Sequence, residues 1–196
     1  MDRAALESAA TTYPHLRGLF AIPAGALMAA SGAYNQGWGP FGRVWGFLGC
    51  VALVALVALG IQRYYRDTYG SVTLSGRAQA RMAVVVAVSV AAFLGVNVLL
   101  GSTDHPISVL SVSFGAVLLV NYAAYVGLRV HHVAIAGALM IAGLLPIWGD
   151  ADSSRDSYAL IAMGAASAAI GIADHRLLAR MLRPGTPELG GGDVRA

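Results

Sequence analysis

The sequence predicts an all-α integral membrane protein: six transmembrane helices in a compact bundle, with both termini cytoplasmic. Three observations predict it. Of 196 residues, 57% are hydrophobic and only 12% charged, with a mean hydropathy of +0.66, whereas a soluble domain carries about 25% charged residues. Six apolar runs approach or reach the roughly 20 residues needed to cross a hydrocarbon core about 30 Å thick. Arginine, finally, alternates from one side of these runs to the other.

Residues 1–18 read as a cytoplasmic N-terminal segment. Its acidic residues, and the lack of a basic region leading straight into an apolar core and cleavage site, give the expectation that the first apolar run is retained. The spans then follow over 19–34, 44–62, 82–100, 107–128, 130–148 and 158–178. The first is short and is interrupted by Pro23, which makes it the weakest of the six. The connections are too short to build a separate core, so residues 19–183 form one transmembrane domain. The tail 184–196, PGTPELGGGDVRA, is rich in glycine and proline and is expected to be disordered.

Orientation follows from the excess of basic residues on cytoplasmic flanks. Placed with the N-terminus inside, the inner segments hold Arg3, Arg17, Arg63, Arg66, Arg77, Arg81, Arg129, Arg176, Arg180, Arg183 and Arg195, and the outer ones only Arg43 and Arg155. Five or seven spans would break this alternation. Trp38, Trp45 and Trp148 fall at outer ends, and Tyr64, Tyr65, Tyr69 and Tyr125 at inner ends, as interfacial aromatic rings do. All 13 basic residues are arginine, a bias that reads as GC-rich coding and places the chain in a bacterial cytoplasmic membrane. These arginines flank apolar runs and form no single stripe, so nucleic acid is not among the implied partners. Cys50 stands alone, which excludes a disulfide framework.

One internal repeat is suggested. AGALM occurs at Ala24 to Met28 and again at Ala136 to Met140, followed by Gly-Ile at Gly60 and Gly171, which would align the first hairpin with the third.

The polar residues inside the runs are the candidates for chemistry. In the sixth span Gly164, Ser167, Gly171 and Asp174 share a helix face, with His175 beside it. Small residues favour close helix packing, so that face should point into the bundle and place Asp174 against protein. Its expected partner is an arginine such as Arg63 or Arg129, or cytoplasmic water. The fourth span carries Ser108, Ser111 and Tyr122 at helical spacing with Asn121 adjacent, and the third carries Asn97. This set reads either as interhelical packing or as a lined path.

Arg63, Arg66, Arg77 and Arg81 in the longest inner loop, with Arg176, Arg180 and Arg183 after the sixth span, form a candidate surface for a partner protein or lipid headgroups. Asp150, Asp152, Ser154 and Asp156 begin like a calcium loop, but Arg155 and Ile161 stand where the turn glycine and closing glutamate belong. His15, His131 and His175 map to the inner side. His131 and His132 are adjacent, and neighbouring side chains on a helix diverge by about 100° and should not face one ion. No metal site, no catalytic residue and no cofactor are therefore expected.

Three functions fit this pattern. The first is a small permease or the membrane subunit of a transporter. The second is an accessory or regulatory membrane protein without transport activity. The third is a membrane-embedded enzyme acting on a lipid or other hydrophobic substrate at Asp174 and His175. The implied partners are the lipid bilayer and a cytosolic or membrane protein, or a second copy of the chain.

Overall fold

The computed structural model describes residues 17–69, 76–100, 106–125, 127–146 and 153–181. Among these residues the chain is all-helical, with six α-helices: α1 (Ala21–Asn35), α2 (Val44–Tyr69), α3 (Gly76–Leu100), α4 (Val109–Tyr125), α5 (Val130–Leu144) and α6 (Ser153–Met181). Each coincides with one expected run. Helices α2, α3 and α6 are long and apolar enough to cross a membrane, while α4 and α5 are shorter apolar helices. Trp148 and the first two aspartates of the calcium-like loop lie outside the described residues. Ser154 and Asp156 belong to the first turns of α6 and not to a loop, and there Asp156 complements the positive end of the helix.

Pro23 does not interrupt α1. It sits in the first turn, where its missing N–H has no intrahelical partner to lose, and a 3-10 turn over Gly18–Phe20 leads into it. The other end of α1 closes through Gly37 at φ +68°: the Trp38 N–H bonds Ala33 O at 2.9 Å and the Gly37 N–H bonds Tyr34 O at 3.0 Å. This pairing requires a left-handed residue just past the helix, which glycine adopts without strain.

The bundle is organised on α6. Its closest neighbour is α1, running antiparallel, and the seam is set by a heptad pattern on both sides of the pair. Gly18, Gly25 and Gly32 face Gly171, Gly164 and Ser157 in that order, and a Cβ added at any of the three α1-side glycines would run into the facing backbone carbonyl. The absence of side chains lets the two backbones touch, which substitutes for hydrophobic burial where lipid is as apolar as leucine. The small-residue face predicted for α6 is therefore buried. The two AGALM segments are used differently: Gly25 abuts Gly164, whereas Gly137 faces open space.

Helix α5 packs on the other flank of α6, α4 packs on α5, and α3 packs on α4. Leu139, Met163 and Ala166 form the mid-bundle core, with Met28, Phe93, Leu110 and Phe114 against it. Two reciprocal pairs join α3 to α4. The Asn97 amide donates to Ser113 Oγ at 2.9 Å and Asn121 donates to Ser89 Oγ at 3.0 Å, and each amide also bonds the carbonyl four residues back in its own helix. The segments SVAAFLGVN at 89–97 and SFGAVLLVN at 113–121 carry this arrangement twice. Ser108 caps α4, its Oγ accepting the Ser111 N–H at 3.3 Å, while its own N–H reaches Gly143 O at 2.8 Å. Asn97, Ser108 and Asn121 are thus joints between helices, while Ser111 bonds Ser108 at the start of its own helix.

The inner connection expected over Arg63 to Arg81 is much shorter than predicted. Helix α2 continues through Tyr69 and α3 begins at Gly76, so Arg63 and Arg66 are helical on one side and Arg77 and Arg81 on the other. Aromatic and arginine residues extended these two helices beyond the point where hydropathy alone ends them.

Candidate functional site

Asp174 lies two turns before the end of α6 and is only 1% exposed. No arginine reaches it among the described residues, contrary to the expected pairing with Arg63 or Arg129. Its partners come instead from the α4–α5 hairpin, which turns through Gly127 at φ +79°. The Tyr122 hydroxyl, in the last turn of α4, donates to Oδ2 at 3.1 Å. Oδ1 meets two imidazoles: Nε2 of His131 and Nε2 of His132, each at 2.9 Å. Both histidines belong to the first turn of α5.

The expectation that adjacent histidines diverge fails here for a local reason. A 100° separation fixes where the Cβ atoms leave the helix, but an imidazole extends far enough for rotation about its side-chain bonds to bring the two Nε2 atoms together. The face of Tyr122 completes the arrangement, stacking on His132 with centroids 3.7 Å apart and planes 22° apart.

The two histidines differ in access. His132 is fully buried, and its Nδ1 has no hydrogen-bond partner among the described residues. A buried polar atom left so costs about 1–3 kcal/mol, a cost that stability alone does not explain. The His131 side chain is 28% exposed and lines a pocket of about 280 Å³ with Ala173, Arg176, Leu177 and Arg180.

His175, paired with Asp174 in the sequence reading, faces the opposite flank of α6. Its Nδ1 is hydrogen-bonded to the Tyr65 hydroxyl at 3.1 Å, and the same hydroxyl accepts the Leu19 N–H at 3.2 Å. Tyr65 is fully buried, stacked on Phe20, with the Arg17 guanidinium 5.1 Å from its centroid. This cluster clamps α2 to α6, so Tyr65 is an internal strut and not part of an interfacial belt. Of the arginine surface, Arg63, Arg66, Arg77 and Arg81 are exposed on α2 and α3, and Arg66 pairs with neighbouring Asp67 at 3.4 Å. Arg176 and Arg180 flank the pocket, and Arg183 and His15 lie outside the described residues.

Structure therefore joins Asp174 and Tyr122 from the predicted set, adds His131 and His132, and removes His175, Asn97, Ser108, Ser111 and Asn121. The signal for the added pair was present: a His-His start to a helix, after a short connection from a helix ending near Tyr122, must lie beside the same neighbour as that tyrosine.

His131, His132 and Asp174 offer three metal-ligand atoms, all within 4.8 Å of one another. Around a tetrahedral zinc ion with bonds of about 2.0–2.1 Å, ligand atoms stand roughly 3.3 Å apart. Reaching that geometry means opening the two 2.9 Å contacts by a few tenths of an ångström and setting the two Nε2 atoms, which lie within 4.8 Å of one another, at the same spacing. The Tyr122 hydroxyl on the second carboxylate oxygen is then an outer hydrogen bond that orients the ligand. No protein-family model, curated protein or solved structure matches this chain. The chemistry of the site rests on its own geometry.

Proposed function

We propose that this chain is a six-span protein of the bacterial cytoplasmic membrane, both termini cytoplasmic, that carries a metal centre of catalytic type. His131, His132 and Asp174 supply three ligands to a divalent ion such as zinc, leaving a fourth position for water or substrate. The observation that carries this reading is the convergence of both Nε2 atoms on one buried carboxylate oxygen at 2.9 Å.

The membrane setting is supported by the ends of the bundle. Arg17, Arg63, Arg66, Arg77, Arg81, Arg129, Arg176 and Arg180 belong to the Asp174 end, against Arg43 and Arg155 at the other. Helices α1, α4 and α5 have 15, 17 and 15 residues, short of about 20. The 3-10 turns on either side of α1, Gly18–Phe20 and Gly39–Gly42, pack on other helices, where non-helical backbone at membrane depth is tolerated.

A permease draws less support. Ser108 and Ser111 are fully buried, and Asn97 and Asn121 are engaged between α3 and α4, so these residues offer no lined path.

The test is metal content. Protein purified in mild detergent, stripped with chelator and titrated with Co²⁺ or Zn²⁺, is expected to bind one ion per chain, with the visible absorption of tetrahedral cobalt. Asp174→Asn and His132→Gln should abolish it while leaving the helical circular dichroism intact. A wild-type protein that binds neither ion would refute the centre.

A further inference from the structure

The pocket beside His131 joins features that the metal reading does not use. It lies between the start of α5 and the last turns of α6, with a volume of about 280 Å³. That is near the lower limit of small-molecule sites and suits a compact group. Ala173 and Leu177 make its apolar wall, while Arg176 and Arg180, one helical turn apart, supply two guanidiniums from the same face. Among the described residues neither arginine has an acidic partner, although Arg66 on α2 does. Asp174 does not line the pocket, and its oxygens bond Tyr122 and the histidines rather than either arginine.

Two guanidiniums at i and i+4, without an acidic partner among the described residues, are matched by an anion with several oxygens and tetrahedral geometry. Phosphate meets that requirement, because each guanidinium can offer two parallel N–H donors to its oxygens. The first turn of α5 adds to the field: His131 is the second residue of that helix, where free backbone N–H groups give a positive end. The apolar wall requires no further charge on the ligand and fits carbon attached to the phosphate.

We infer that this pocket binds a phosphate group, carried by a membrane phospholipid or a soluble phosphate compound, through Arg176 and Arg180. The inference goes beyond the metal centre and does not depend on it, since Arg176 and Arg180 are not among the metal ligands.

Native mass spectrometry of the detergent-solubilised chain tests it, with dioleoylphosphatidylglycerol, dioleoylphosphatidylcholine and inorganic phosphate as probes, before and after chelator treatment. One retained phosphatidylglycerol per chain, weakened about tenfold or more in Arg176→Gln/Arg180→Gln but not in Arg63→Gln/Arg66→Gln, supports a lipid phosphate. Inorganic phosphate that binds alone with the same Arg176/Arg180 dependence, lipid showing none, supports the soluble source. Equal losses in both double variants would reduce the effect to general surface charge and overturn the pocket, as would wild-type binding by Arg176→Gln/Arg180→Gln. Chelator separates the two readings: anion binding that survives metal removal sustains this pocket even if the metal centre fails, and loss of both in stripped but folded wild type overturns its independence.

Discussion

Helices α6 and α2 are similar in length and both can span a membrane, yet they are treated oppositely by the fold. In the apolar stretch of α6, 39% of residues are buried, against none for α2 and 6% for α3. The most apolar helices are the most exposed. In water this would be an error of design, but in lipid the exposed leucines and valines of α2 and α3 cost nothing, and association must come from close packing and hydrogen bonds. Helix α6 supplies both: the glycine seam toward α1 and Asp174 toward α4 and α5. Helix α2 is attached mainly at its ends, by Tyr34 against Phe47 with centroids 5.2 Å apart and by the buried Tyr65 clamp.

If the contrast is real, substitutions should be ranked by where they fall. The largest effect belongs to the seam. Gly164→Leu forces a branched side chain into the Gly25 carbonyl and should cost about 3 kcal/mol or more, read as loss of folded protein in a detergent melt. Asp174→Leu leaves both Nε2 atoms and the Tyr122 hydroxyl without their acceptor and should cost about 3 kcal/mol. Asp174→Asn, which keeps an acceptor oxygen, should melt near wild type. An equal collapse of both variants would mean that the charge itself holds the bundle together.

Smaller effects sharpen the other side of the comparison. Ser108→Ala removes the α4 cap and should cost about 1 kcal/mol, measurable as a lowered melting temperature. Asn97→Ala should cost about 0.6 kcal/mol, the typical strength of one interhelical hydrogen bond in a membrane protein, and the same measurement on Asn121→Ala should agree. Leu56→Ala on the exposed face of α2 should change stability by less than about 0.5 kcal/mol. A loss comparable to that of Gly164→Leu would show that this face is covered by a protein neighbour rather than by lipid.

What could be read in advance follows the range of the forces involved. Six helices and their approximate limits were legible because hydropathy and length act locally. The small-residue face of α6 was legible for the same reason, and its heptad partner in Gly18, Gly25 and Gly32 stood in the sequence unread. The lengthened α2 and α3 were missed because arginine and tyrosine end an apolar run without ending a helix. The identity of Asp174 as a buried group facing the bundle came from spacing alone.

Its partners did not. Whether Asp174 meets an arginine, water or imidazoles depends on how the α4–α5 turn docks against α6, a relation between residues 42 to 52 positions apart. The sequence determined that this is a set of apolar helices with a carboxylate on the small-residue face of the last, near an arginine-rich end, because period and composition suffice for that. Tertiary structure alone decided that His131, His132 and Tyr122 converge on that carboxylate while His175 turns away to Tyr65, because rotation about side-chain bonds and the packing of three helices, not spacing along one, set where those atoms meet.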